Sequence, residues 1–287
     1  MTEKINTTTE NAISEYKYKP VKFYVSAFAA TWIFWILAIV FGENIVSGLF
    51  MLLGLIAPPV VAITMVFTSG YEPLKKDFKR KILGFYTLKP VNLLIAIAGF
   101  ICIVIVSILA STLFGQSLDQ FAFTDNFSFT GAGIGSALLT ILLASTIEEI
   151  GWRGYGEDSI AQYHSWFTES IIFGFVWALW HLPLFYIPNT YQYELRTMGI
   201  GFMLNFFISV SPLGFITTWV YVKNKRSMLA SIIFHLFVNF MQERVAMTPV
   251  TKCVETGVVI IAAAIIVLTN KDMFFERRHI GNLPEEI

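Results

Sequence analysis

Eight stretches of this chain are apolar for about the length needed to cross a bilayer, and few folds are open to such a chain. They cover residues 23–41, 45–68, 91–114, 132–150, 167–187, 199–222, 228–241 and 254–269, the last two being short. About 20 mostly apolar residues span a hydrocarbon core of about 30 Å as a helix. Only helices and closed barrels satisfy every backbone group in lipid, and these runs show no period-2 alternation. The expected fold is therefore all-α: a polytopic transmembrane helical bundle of about eight spans. Composition agrees, with 55% hydrophobic and 14% charged residues, against about 45–50% and about 25% in soluble domains.

The loops orient the bundle. With the N-terminus inside, seventeen of the twenty Lys and Arg fall on cytoplasmic segments, and only Arg196, Arg244 and Lys252 fall outside. The positive-inside rule then places both termini in the cytoplasm. The basic run at 75–81 is expected at anionic headgroups. Residues 1–20 read as a mobile cytoplasmic segment without a signal-peptide cleavage pattern, 21–270 as one transmembrane domain with a catalytic core at 132–240, and 271–287 as a cytoplasmic tail. Pro58, Pro59, Pro183 and Pro212 lie within spans and are expected to kink them. Cys102 and Cys253 read as small buried hydrophobes, with no disulfide framework. The glycine run at 131–135 suits close helix packing, and the sequon at Asn126 is too short a match to use. His164 and His279 read as solvated, and Asn205 as an interhelical hydrogen-bonding amide.

Against this apolar background three polar groups stand out: Glu148 and Glu149 with Arg153, His181, and His235 with Asn239. An ionisable side chain at membrane depth costs roughly 2.5–3.5 kcal/mol, so several together mark a function. Counted at about 1.5 Å per residue, Glu148 and His235 lie roughly 10 Å in from the cytoplasmic side and His181 roughly 15–20 Å. Three helices thus bring polar groups to the same half of the bilayer. Glu149 and Arg153 are four apart, the spacing of an ion pair on one helix face, so Glu149 reads as structural. Glu148 has no such partner in the sequence and suits a general base. Asn239 shares a face with His235 and offers an amide to a developing oxyanion. Trp177 stands four before His181 and is expected to pack beside its imidazole. The spacing leaves open which histidine activates water and which binds the oxyanion.

The segments EEIGWR (148–153), WALWHLP (177–183) and HLFVN (235–239) resemble the EExxxR, FxxxH and HxxxN motifs of the CAAX protease and bacteriocin-processing family, the type II prenyl endopeptidases and their bacterial relatives. Trp177 stands where that family more often has Phe. The resemblance implies an intramembrane endopeptidase in which Glu148 and His181 activate water, His235 and Asn239 stabilise the tetrahedral intermediate, and Glu149 and Arg153 hold the helix end. It implies a lipidated or membrane-associated peptide or lipoprotein as substrate, in CAAX-type processing, bacteriocin maturation or immunity. In eukaryotic members the last three residues of prenylated CAAX proteins are removed. No cofactor is expected to be required and no nucleic acid to be bound; were zinc present, Glu148, His181 and His235 would be its ligands. The short loops suggest a bacterial plasma membrane. Two other classes fit the same residues: a non-catalytic immunity or binding protein on this fold, and a proton-coupled transporter. The transporter would favour repeated halves, and the chain shows none.

Overall fold

The computed structural model describes residues 16–84, 87–124 and 132–276, with the side chains of 132–138 and 140 left aside. Local signals account for most helix starts. Pro20 opens α1 (Pro20–Phe41) and Pro90 opens α5 (Pro90–Ser111), positions where the missing N–H costs nothing. Asn44 caps α2 (Ile45–Leu55), its side chain accepting from the amides of Val46 and Ser47. Ser227 and Thr248 do the same for α11 and α12, whose ranges follow below.

The expected second span is two helices. The chain breaks at Ile56, and α3 (Ala57–Phe67) restarts with Pro58 and Pro59 in its first turn. Prolines lack the N–H that would bond back into the preceding turn, so the run resets there. Pro183 likewise ends a helix and does not kink one: α8 (Trp166–Trp180) gives way to a 3-10 turn at Leu182–Tyr186. Pro212, by contrast, sits inside the continuous α10 (Ile200–Lys223). The fourth run forms α6 (Ala132–Gly151), which widens into a π-turn (Trp152–Gly156) and continues as α7 (Glu157–Ala161). A short amphipathic α4 (Glu72–Leu83) and the still shorter α9 (Tyr191–Met198) link spans. The seventh and eighth runs are longer than expected, as α11 (Met228–Arg244) and α12 (Pro249–Thr269), and α13 (Lys271–Phe275) follows.

Among the described residues six helices or helix pairs are long and apolar enough to cross a membrane: Pro20–Phe41, Ile45–Phe67, Pro90–Phe114, Trp166–Tyr186, Ile200–Lys223 and Pro249–Thr269. α6 and α11, which carry three of the four expected catalytic residues, are not among them. Large apolar side chains such as Leu94, Leu113, Phe175, Ile261 and Leu268 point outward, as suits a molecule whose solvent is lipid. Cys102 is exposed and Cys253 half-buried, both as free thiols, which corrects their reading as buried.

Inside, one apolar cluster gathers α1, α3, α4, the π-turn and α8, and a second gathers α5, α11 and α12. α10 joins them, since its Leu213, Phe215 and Trp219 pack against both. α8 and α10 cross closely because Gly174 faces Gly214 and Ser211. A Cβ on Gly174 would lie 2.6 Å from the Ser211 carbonyl oxygen, a contact that only a glycine permits.

The loops sort to two ends. At one, Arg80 donates to the carbonyl of Lys225 (3.1 Å), Asn92 to that of Lys223 (2.7 Å), and the amide of Lys89 to Asn224 (2.9 Å). At the other, Phe123 pairs with Val245, Thr248 donates to Gln120, and Asn189 to Glu43. The basic run at 75–81 departs from expectation. Lys76 and Lys79 are exposed, but Lys81 is turned inward and buried against Asp158, 2.7 Å away. Its apolar neighbours Leu74 and Phe78 lie on the same face of α4, and burying that face carries Lys81 in with it.

Candidate active site

Glu148 and Glu149 occupy the last turn of α6, and being adjacent they point different ways. Glu148 accepts from two indoles, Trp177 Nε1 at 3.0 Å and Trp152 Nε1 at 3.4 Å. Trp152 is four residues on from Glu148, so the carboxylate does have a partner at helical spacing. Glu149 Oε1 takes Arg153 Nη1 at 2.9 Å, the expected ion pair, and also His235 Nδ1 at 2.8 Å. It therefore anchors a histidine on another helix, a task beyond the structural one read from spacing. The other arm of Arg153 lies 2.9 Å from Glu157, and its guanidinium stacks on Phe173 at 4.8 Å.

Glu157 lies just past the spanning part of α6. Burial pushes its carboxyl up to about 8; Arg153 opposes the shift, while the nearby Glu149 charge adds to it. One guanidinium shared by two carboxylates does not hold both ionised out of water.

His181 ends α8, and its Nδ1 lies 2.7 Å from the carbonyl oxygen of Trp177. A carbonyl only accepts, so Nδ1 carries the proton and a neutral ring keeps its lone pair at Nε2. The ring is packed by Trp180 at 4.9 Å and Phe206 at 5.3 Å. Trp177 itself meets the His235 ring edge-on at 5.5 Å and the His181 ring at 6.0 Å. It thus touches Glu148, His181 and His235 at once. Asn239, one turn beyond His235, donates to Ser145 Oγ at 3.3 Å. Glu149, Arg153 and Ser145 are sealed from the surface, and His181 and Asn239 are half-buried. Glu148 and His235 are buried as well, at 7% and 4% exposure, so His181 and Asn239 are the more accessible of the four expected catalytic residues.

The structure brings together all of the expected residues: Glu148, Glu149, Arg153, Trp177, His181, His235 and Asn239. Sequence reading missed Ser145, Trp152 and Glu157. Each stands at helical spacing from a recognised residue, respectively four before Glu149, four after Glu148 and four after Arg153, and that spacing was the available signal. Of the remaining polar residues, His164 is exposed and Asn205 donates to the carbonyl of Lys252 at 3.4 Å, as expected. His279 and the sequon at Asn126 fall outside the described residues. The residues named as ligands, were zinc present, are Glu148, His181 and His235. Among the described residues no three His, Cys, Asp or Glu side chains are gathered to hold one, and Glu148 Oε2 is already taken by two indole donors.

Comparison with known proteins gives the same location. The family model of type II CAAX prenyl endopeptidases, Rce1-like, matches residues 130–241, a segment that holds all seven expected site residues. The "CAAX prenyl protease 2" of Methanococcus maripaludis is 42% identical over 272 residues, 92% of this chain and 99% of that protein. The chain belongs to the Rce1-like CAAX prenyl endopeptidase family. It is an intramembrane endopeptidase, a hydrolase, and a multi-pass membrane protein. As an Rce1-like protein it carries the candidate site residues on α6, α8 and α11, with α10 closing the His181 side through Phe206.

Proposed function

We propose that this endopeptidase hydrolyses its peptide bond with a water activated by Glu148 and His181, and that His235 and Asn239 hold the oxyanion. The observation that carries the reading is Trp177, which spans Glu148, His181 and His235 and so fixes their relative positions. Glu148, or the Nε2 lone pair of His181, takes a proton from water, and the resulting hydroxide attacks the carbonyl carbon. In its protonated form, charge-balanced by Glu149, His235 presents a second N–H at Nε2. With the Asn239 amide it supplies two donors to the tetrahedral oxygen. When the intermediate collapses, the C–N bond breaks and the leaving amine receives the proton taken from water.

The relative's name makes a prenylated CAAX-type C-terminus the substrate class to try first. The half-buried Phe206 beside His181, backed by the buried Trp180 and Phe185, gives the site an apolar flank that suits a lipid-bearing peptide. The test is cleavage of a prenylated CAAX peptide by protein reconstituted in lipid, followed by mass spectrometry. Release of the C-terminal tripeptide by wild type and its loss in Glu148→Gln are expected. Cleavage surviving in Glu148→Gln would remove the mechanism. Activity is also expected to persist after exhaustive chelation; loss on chelation with recovery on adding zinc would make this a metalloprotease.

A further inference from the structure

Outside the site lies a second buried ionic cluster, at the basic end of the bundle. Asp77 and Lys81 come from α4, Asp158 from α7 and Arg226 from the turn between α10 and α11, and all four side chains are at most 1% exposed. Arg226 bridges both aspartates, and the half-buried Arg80 also pairs with Asp77 from the edge, so two buried cations face two buried anions. Neutrality explains how the cluster tolerates burial, but it does not explain where Lys81 places its donors. Its ammonium reaches the carbonyls of Arg153 at 2.9 Å and Gly154 at 2.8 Å, and Asp158 at 2.7 Å. Two of three protons thus go to the main chain of the π-turn. A π-turn lengthens the helical ladder and leaves carbonyls in need of outside donors. The Tyr221 hydroxyl, 3.2 Å from the same Arg153 carbonyl and 3.1 Å from Asp158, assists.

The residue so gripped is the one whose guanidinium holds Glu149, and Glu149 holds His235. We propose that Lys81 is a positioning residue for the endopeptidase reaction, clamping the π-turn so that Arg153 and Glu149 fix the orientation of His235. The inference rests on the catalytic reading of His235 given above. Lys81 touches neither substrate nor reacting atoms and acts only through this chain of contacts.

The experiment compares wild type, Lys81→Met, Tyr221→Phe and the exposed-face control Lys79→Met in lipid, on the prenylated peptide. It records kcat and KM per folded molecule across pH. Lys81→Met is expected to lower kcat about tenfold with KM within about twofold, and to displace the kcat–pH profile. Tyr221→Phe, a milder change, is expected to lower kcat about two- to fivefold in the same way, and Lys79→Met to match wild type. Should Lys81→Met fail to fold, Tyr221→Phe decides, and an unchanged kcat there overturns the proposal. A Lys81→Met protein with wild-type kcat and pH profile overturns it too, even if it melts earlier, because the cluster would then be structural only. Wild type inactive on every peptide would instead overturn the catalytic reading and this inference with it.

Discussion

Two neighbouring carboxylates with different partners make the sharpest contrast at the scale of single residues. Glu148 is held by uncharged donors and Glu149 by a guanidinium and an imidazole. Glu148→Gln keeps an oxygen for the indoles while removing the base, so near-normal yield with at least a hundredfold loss of cleavage is expected. Glu149→Gln leaves Arg153 buried with one carboxylate fewer, a change worth about 3–5 kcal/mol in buried pairs, so lower yield and an earlier melt are expected. Purification yield, melting temperature and turnover of the two variants check this; the reverse pattern would exchange their roles. Trp177→Phe removes one donor from Glu148, and hydrogen bonds to charged groups are worth about 1.5–3 kcal/mol. Turnover should fall about tenfold or more, while wild-type turnover would show that the indole does not hold the base. The roles of Glu149 and Arg153 as an ion pair were legible from a spacing of four. The bond from Glu149 to His235 was not, because it joins residues 86 apart on different helices.

At the scale of elements, apolar run length located every long helix, but it was blind to what happens where runs end. Nothing in the periodicity of EEIGWRGYGED marks a π-turn, although its glycines allow the close packing it needs. A Cβ on Gly151 would lie 2.7 Å from Pro58 Cβ, so the prolines that split α2 from α3 also seat the catalytic helix. The basic run on α4 misled for a related reason: Lys81 follows the apolar face inward because Asp77 and Asp158 await it. There burial opposes the charge on Asp77, but Arg226, Lys81 and Arg80 outweigh it and hold the carboxyl below its usual range. Glu157 behaves oppositely and gives a pH dependence near neutrality. Its carboxyl sits at about 8 in the fold against 4.5 as the ordinary value. Between those values the folded protein binds more protons than the unfolded chain, so stability falls as pH rises through that window. Glu157→Gln, which cannot ionise, should flatten the decline. Melting temperature in detergent from pH 5 to 9 reads it, and equal slopes in both proteins would show that Glu157 is not the group responsible.

For the whole molecule, the number of crossings turns on α6 and α11. Among the described residues six spans stand out by length and apolarity; α11 is short, at 17 residues, and in α6 the side chains of 132–138 are left aside. The connections argue that both cross. α11 starts at the 224–227 turn, where Arg80, Lys89 and Asn92 converge, and ends at Val245, paired with Phe123 at the opposite end. Its 17 residues reach about 25 Å at about 1.5 Å per residue, close to the hydrocarbon thickness, and a short span is accommodated by local thinning of the bilayer. α6 meets α11 where Asn239 donates to Ser145, and it passes into the π-turn that Lys81 holds at the basic end. That arrangement and the positive-inside rule predict eight crossings with both termini on the Lys- and Arg-rich side. Reporter fusions at Ile287 and in the 224–227 turn should therefore report the cytoplasm, and fusions in the 116–124 and 245–248 loops the other side. A reporter at 245–248 on the same side as one at 224–227 would mean that α11 does not cross. His235 and Asn239 would then lie on a helix that enters and leaves by one face, and the site would open to that face alone.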